Sequence, residues 1–536
     1  MDKRPNIILI TMDQLRYDYV GAYQKDKFVK TPNMDKLAEE GCVYENAYSP
    51  NPVCIPARHN IITGLTAKYH GFDDNYFGKE AKSCPWSLPT FATLLSDVGY
   101  RTIAIGKIHF QPERRSTGFD YFLNADEVVY DVNDDDYARE LSENGYGYIG
   151  SYHGVRNALY MQPQESLLPL EWHGSYWTSS KCIEYINHSK GENRPFMMWC
   201  GFKDPHPPFD LPKEWSHIND GNIPHHTSSI TPLSKLAEEN KCIADLPNEE
   251  SINRMREQYA NAISFVDYNI GRIVDALKEN DLYDNTILFI TSDHGEMLGD
   301  LDTYQKFLPY EASCRIPFIV HYPHIVKPER KTEFVDLNDL YPTFLDLANA
   351  QYTGIYKLPG ESLFAKTKEK DRTVQYVEHQ RNNKRWCMLR NKEFKYVHHY
   401  GDHDELFDMI HDPEEKVNLL HKHSEEYKDI VQELKSKLIA YEKEWGLEGY
   451  IENNTFKEFP PYEIHTYRET CFPYFAHRIS NDTVMPLEKE ILEAIKDEPT
   501  VKLSKLHIKE LLTNEGRMTE EAWNTLVEEA KKINRW

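Results

Sequence analysis

Four stretches of unbroken apolar sequence, each running into charged or imidazole side chains, constrain the fold of this chain more than any other feature. Asn6–Met12 ends in Asp13-Gln14, and Thr102–Ile105 ends in Gly106-Lys107-Ile108-His109. Phe196–Phe202 ends in Lys203-Asp204-Pro205-His206, and Thr286–Thr291 ends in Ser292-Asp293-His294-Gly295. A strand that is apolar at every position is buried on both faces, as strands are inside a parallel sheet covered by helices. Amphipathic stretches for those helices lie between the runs, at Met34–Glu40, Ser87–Val98 and Asn253–Lys278. In such sheets ligands bind beyond the carboxyl ends of the strands, so the four polar endings are expected to share one site. The expected fold class is therefore α/β: a large mixed, mostly parallel sheet flanked by helices.

With 536 residues the chain is too long for one average domain. The sheet is assigned to residues 1–371. From Arg372 the pattern changes: Val374–Val377, Trp386–Leu389 and Phe394–Val397 alternate as strands of a small antiparallel sheet do. Glu405–Asp408 and Asp412–Glu415 read as turns, and a helix is expected over Glu425–Glu444, which gives a C-terminal α+β subdomain at 372–450. Residues 451–536 form a mainly helical extension, with helices predicted at Leu487–Lys496, Leu503–Thr513 and Thr519–Ile533, the last capped by Thr519.

Composition narrows the function. A formal net charge of −24 argues against nucleic acid as a partner, which needs clustered Lys and Arg. It does not exclude an anionic substrate, because exposed charges more than about 8 Å apart are largely screened and a local basic pocket can dominate. No run approaches the roughly 20 apolar residues of a membrane helix, and Met1–Pro5 precede the first strand without an apolar signal region. A cytoplasmic protein without membrane association is expected. Nine cysteines, from Cys42 to Cys471, show no close-spaced framework and no C-x-x-C pair, so small buried reduced thiols are expected.

Cys54 stands out by its surroundings, Ser49-Pro50-Asn51-Pro52-Val53-Cys54-Ile55-Pro56-Ala57-Arg58-His59-Asn60-Ile61-Ile62-Thr63-Gly64. Three flanking prolines predict a non-helical segment up to Arg58, where an apolar, helix-like stretch opens. A helix start favours anions and lowers a thiol pKa, so a nucleophile beside an anion site is one reading and an ordinary buried thiol is the other. The longer pattern, Cys-X-Pro-X-Arg followed by Ile61-Ile62-Thr63-Gly64, resembles the signature of type I sulfatases of the alkaline phosphatase superfamily. In that family a formylglycine-generating enzyme oxidises the cysteine to formylglycine (3-oxoalanine). The commonest family version has Ser where this chain has Ala57.

The resemblance covers about residues 5–445 and implies roles for the other strand endings. Asp13 and Gln14, with Asp293 and His294 and an oxygen of matured Cys54, match the family's ligands to one divalent cation. Oxygen donors suit Ca²⁺ first or Mg²⁺, and the nitrogen of His294 leaves Mn²⁺ open. Lys107 and Lys306 match sulfate-binding lysines and Arg58 the signature arginine. His109 matches the histidine on the formylglycine hydroxyl, and His206 the one facing the leaving oxygen. Ser313-Cys314-Arg315-Ile316-Pro317 and Glu405-Leu406-Phe407-Asp408 continue the likeness.

The implied activity is hydrolysis of a sulfate ester. Phosphonate monoester or phosphodiester hydrolases share the Asp-Gln and Asp-His pairs and are the nearest alternative. A non-catalytic anion- or sugar-binding protein is a second, if Cys54 stays a thiol. Ala125–Ser180 and Phe72–Tyr76, rich in Tyr, Asp and His, suit the walls of a sugar pocket, so a small sulfated saccharide is the expected substrate.

Overall fold

The structure is a computed structural model describing residues 4–536 apart from 76–81, 113, 116, 130, 242–245, 247, 366–371, 382–383, 465–483, 507 and 515. The strands up to residue 336 are β1 (Asn6–Asp13), β2 (Cys42–Tyr48), β3 (Arg101–Gly106), β4 (Tyr121–Asn124), β5 (Pro163–Glu165), β6 (Phe196–Pro205), β7 (Phe209–Leu211), β8 (Thr286–Ser292), β9 (Arg315–Ile316), β10 (Phe318–His321) and β11 (Glu329–Asp336). All but β5 and β7, which pair with each other, form one nine-stranded sheet in the order β11-β2-β10-β8-β1-β6-β3-β4, with β9 on β2. The four apolar runs are its four consecutive central strands, β8-β1-β6-β3, all parallel. Only β10 and the short β9 run antiparallel to their neighbours.

Alternate side chains of each central strand enter different cores. Ile8, Ile10 and Met12 of β1 pack with Met198 and Cys200 of β6 and with Met255, Tyr259, Ile263 and Val266 of the helix Glu249–Glu279. Ile7 and Leu9 face the other side, with Trp199, Phe289, Ala57, Ile61 and Phe344. Burial on both faces explains why these runs carry no polar alternation. It also fixes the register, because a one-residue slip would exchange the two cores. Met12 lies beside Ser292, Asp13 beside Pro205 and Gly106 beside Gly201, so the polar endings emerge along one edge.

A four-stranded antiparallel sheet follows, in the order β12 (Gln375–Arg381), β13 (Lys384–Arg390), β14 (Phe394–His399) and β15 (Glu405–Asp408). Glu405–Asp408, expected as a turn, is thus a strand. Its Leu406 and Phe407 enter two different cores, and two alternating positions are too few to show a period. One face of this sheet, through Val377, Trp386, Met388 and Val397, packs on Tyr48, Leu308 and Tyr310 of the large sheet's surroundings. The other face, through Tyr376 and Leu389, packs on Leu434 and Leu438 of the helix Lys428–Trp445.

The C-terminal helices are Leu487–Ile495, Lys509–Asn514 and Glu520–Lys532, the last capped by the Thr519 side chain on the Ala522 amide. The single helix expected at Leu503–Thr513 is broken into a short 3-10 turn at Leu503–Lys505 and the helix from Lys509. The helix expected at Ser87–Val98 is confined to Phe91–Asp97, because Pro89 precedes it and Thr90 caps it. Among the described residues no helix is long and apolar enough to cross a membrane. The seven described cysteines are buried free thiols; Cys242 and Cys471 lie outside the described residues, as does Tyr76.

Candidate active site

Cys54 is the first residue of a helix spanning Cys54–Thr63, all of it buried, so the helix starts four residues earlier than the prolines suggested. Pro56 is its third residue. The first-turn amides of a helix have no partner within it, so a proline there loses no hydrogen bond. The Ile55 amide instead donates to Asn75 Oδ1 at 2.9 Å. The helix stops at Gly64, whose φ of +69° and closeness to Tyr341 (2.8 Å from an added Cβ) exclude a side chain.

Four acidic, thiol and imidazole groups meet at the start of this helix. The ligand atoms of Asp13, Cys54, Asp293 and His294 all lie within 4.8 Å of one another, and all four residues are fully buried. Cys54 Sγ is 3.2 Å from His294 Nε2 and 3.7 Å from Asp13 Oδ1. His294 Nδ1 lies 2.9 Å from the Gly295 carbonyl, which places its proton there and turns the Nε2 lone pair toward the cluster. Arg58 holds the carboxylates in place: Nε donates to Asp293 at 2.9 Å, Nη2 to Asp13 at 3.2 Å and Nη1 to the Lys107 carbonyl. These donors and their spacing fit one divalent cation.

The remaining predicted residues line the other side of Cys54. Lys306 Nζ is 3.3 Å from Sγ, 2.7 Å from Gln14 Oε1 and 2.8 Å from His206 Nε2. Gln14 therefore faces Lys306 with its oxygen, while its amide nitrogen donates to Glu296. Lys107 Nζ lies 2.5 Å from Asp13 and also pairs with Glu127. His206 Nε2 lies 3.1 Å from Glu127 Oε2, and Nδ1 lies 2.5 Å from the Pro207 carbonyl. His109 Nε2 is 3.8 Å from Asp126, near enough to Lys107, Glu127, Arg58 and Asp13 to feel their charges. All ten predicted residues converge.

Strained backbone occurs in the same place. Gln14, His109, Gln305 and Phe307 have positive φ (67°, 58°, 70° and 79°), and each neighbours or is a site residue. Such a conformation costs a non-glycine residue roughly 1–3 kcal/mol, and it is tolerated where the surroundings enforce a functional geometry.

Two carboxylates absent from the sequence-derived set, Glu127 and Glu296, complete the site. Burial alone would raise the Glu127 carboxyl, but His206, Lys107 and Arg156 outweigh it and hold it well below the usual range. Asp13 behaves likewise: burial raises it, and Lys107, His206, Arg58 and Lys306 bring it well down. Burial, then Asp13, pushes the Cys54 thiol up to about 12, so as a thiol it stays protonated at neutral pH. Three cations, Arg58, Lys107 and Lys306, thus stand against Asp13, Asp293, Glu127 and Glu296, the last with its carboxyl raised by burial. A bound divalent cation tips that balance toward an anionic ligand.

Residues 5–350 match the family model described as Sulfatase, and residues 299–444 match that of the N-sulphoglucosamine sulphohydrolase C-terminal region. An arylsulfatase of Clostridium perfringens is 30% identical over 487 residues, covering 84% of this chain and 97% of its own length. An N-acetylglucosamine-6-O-sulfatase of Bacteroides thetaiotaomicron is 26% identical over 514 residues, 80% of this chain and 85% of its own. A solved phosphonate monoester hydrolase of Agrobacterium radiobacter is similar with a TM-score of 0.69 at 22% identity, covering 84% of this chain and 98% of that one. A protein solved with its substrate D-glucosamine-2-N,6-O-disulfate has a TM-score of 0.67 at 24% identity, covering 83% and 98%. At these identities the two structures speak for the fold.

Proposed function

Because this chain belongs to the sulfatase family and is a sulfuric ester hydrolase, we propose that it desulfates a small organic sulfate, a sulfated sugar first, through a formylglycine made from Cys54. The observation that carries the reading is the position of Cys54 Sγ, enclosed by Lys306 Nζ at 3.3 Å and His294 Nε2 at 3.2 Å within the four-residue cluster. A sulfate ester resists attack because its oxygens repel the nucleophile, so the site must neutralise them and protonate the departing alkoxide.

Asp13, Asp293 and His294, with the matured residue 54, would hold a divalent cation, Ca²⁺ in preference; Gln14 Oε1 joins them if it releases Lys306. The cation would supply Lewis-acid stabilisation of the sulfate oxygens and lower the pKa of the attacking hydroxyl. Hydrated formylglycine would supply that hydroxyl, together with a second whose deprotonation releases sulfate. Lys107 and Lys306 bind the sulfate oxygens. Arg58 acts through Asp13 and Asp293, whose orientation it fixes. His206 protonates the leaving oxygen from Nε2, the nitrogen left facing the site by the bond of Nδ1 to Pro207, when the ring carries both protons, the charged form that burial disfavours and Glu127 favours. His109 accepts the proton that accompanies sulfate release.

A panel of sulfated mono- and disaccharides, choline sulfate and an aryl sulfate tests the reading, with Cys54 conversion verified by intact mass. Release of inorganic sulfate in proportion to the converted fraction is expected. Phosphonate monoester hydrolysis is the second reading, favoured by the Asp13-Gln14 and Asp293-His294 pairs. A rate on a phosphonate monoester orders of magnitude above that on every sulfate would replace the first reading by the second.

A further inference from the structure

The strand β12 brings the small C-terminal sheet against the loop that precedes Cys54. The Glu378 amide donates to the Pro50 carbonyl at 3.1 Å, and His379 Nδ1 lies 3.1 Å from Asn51 Oδ1. Val377, His379 and Arg381 share one face of β12, the face whose Val377 packs toward the catalytic sheet. His379 is fully buried and lies near enough to His294 to interact with it electrostatically.

This wall carries polar groups with no use in the fold. His379 Nε2 and Asn51 Nδ2 are buried and have no hydrogen-bond partner. Buried polar atoms are rarely left so, because each costs what its lost hydration was worth, and a ligand is one recognised explanation. The Arg381 guanidinium is half-buried 4.2 Å from the centre of the Phe307 ring, and it makes no hydrogen bond or ion pair among the described residues. The same ring centre is 5.9 Å from Lys306 Nζ. Asp74 interacts electrostatically with both Arg381 and Lys306, and it accepts a hydrogen bond from the adjacent Asn75 amide.

We propose that Arg381, His379, Asn51 and Asp74 form the subsite for the alcohol part of the substrate, and that this part is a sugar bearing a second anionic group. A guanidinium with free donors selects a carboxylate or sulfate in a fork geometry, a carboxylate such as Asp74 accepts sugar hydroxyls, and the Phe307 ring offers an apolar face. Arg381 also disfavours a cationic alcohol, so choline sulfate is a poor substrate. The inference rests on the sulfatase reading and narrows its substrate class.

The test compares matured wild type with Arg381→Gln and Arg381→Lys on four substrates: a monosulfated glucosamine, the same sugar with a second sulfate, a sulfated uronic acid and choline sulfate. Wild type is expected to favour one or both of the doubly anionic sugars by about tenfold or more in kcat/KM, the scale of one charge-assisted hydrogen bond. Which of the two is favoured separates carboxylate from sulfate recognition. Arg381→Gln is expected to bring that ratio to about one, mainly through KM, and Arg381→Lys to keep part of it. A wild-type ratio near one, a ratio untouched by Arg381→Gln, or choline sulfate as the best substrate would overturn the proposal. If neither a sugar nor choline sulfate releases sulfate, the proposed function fails separately. Calorimetric binding of the same sugars to Cys54→Ala, with and without Arg381→Gln, then decides the subsite by the same ratio.

Discussion

Arg58 is fully buried, and each of its observed bonds goes to a group that must itself be held still: Asp13, Asp293 and the Lys107 carbonyl. Lysine would keep the charge and lose the fork. Arg58→Lys is therefore expected to weaken divalent-cation retention about 10–100-fold, the usual cost of losing a group that orients ligands. Equilibrium dialysis measures it, and unchanged retention would show that the carboxylates need no such support. Glu127 bridges Lys107 and His206. Glu127→Gln should lower turnover of a sugar sulfate by up to about 10²–10⁴-fold, the range of general acid catalysis, and affect a nitrophenyl sulfate far less, since its leaving group needs no proton. Equal losses on both would reduce Glu127 to a structural role. Asp13, Lys107, His206 and Asp293 were legible in the sequence because each follows an apolar run that ends at one edge of one sheet. Glu127 and Glu296 were not, because they lie in irregular segments where no period marks a direction. The density of Tyr, Asp and His after Ala125 was the only signal for Glu127.

At the scale of elements, the helix Cys54–Thr63 explains both a success and a miss. Its apolar stretch was visible, but Pro56 concealed its first turn, since a proline at the third helical position is sterically allowed and lexically looks like a break. Gly64→Ala is expected to destabilise the chain by roughly 1–3 kcal/mol, through its left-handed φ and overlap with Tyr341. Chemical denaturation would register it, and a neutral result would mean the helix end can move. The tail helices matter through Val155 and Leu159, which pack with Leu487, Ile491, Leu512 and Leu526. Between these two residues Arg156 reaches Glu127 at 3.4 Å. Glu490 accepts from the Gly150 amide at 2.6 Å, and Glu498 pairs with buried Arg254 at 2.7 Å. Ile491→Ala should cost about 2–5 kcal/mol in the tail cluster. Hydrogen exchange around residues 148–160 should then rise, whereas exchange confined to the tail itself would disconnect it from the site.

For the whole molecule, two cores on opposite faces of one sheet set the register, and the register sets the site. That much follows from four runs of sequence. The packing of β12 against the Cys54 loop does not, because it joins residues more than three hundred positions apart without a shared pattern. Stability should depend on pH in a stated direction. Burial pushes Asp135 up to about 7 although it caps a helix through the Ala138 amide, and burial likewise pushes Glu415 up to about 7 against the pull of Lys395. Both folded values lie above the unfolded ones, so the folded chain binds more protons between about pH 4 and 7, and stability from these groups falls as pH rises through that window. Asp135→Asn should flatten the decline in melting temperature between pH 5 and 8; an unchanged slope would remove Asp135 as its source. The central claim, that residue 54 is the nucleophile of a sulfatase, is tested most directly by one titration. Protein samples with graded conversion of Cys54, quantified by intact mass, are assayed for inorganic sulfate released from a sulfated glucosamine. A rate proportional to the converted fraction and lost in Cys54→Ala is predicted, and release by the unconverted thiol protein at the same rate would contradict the account.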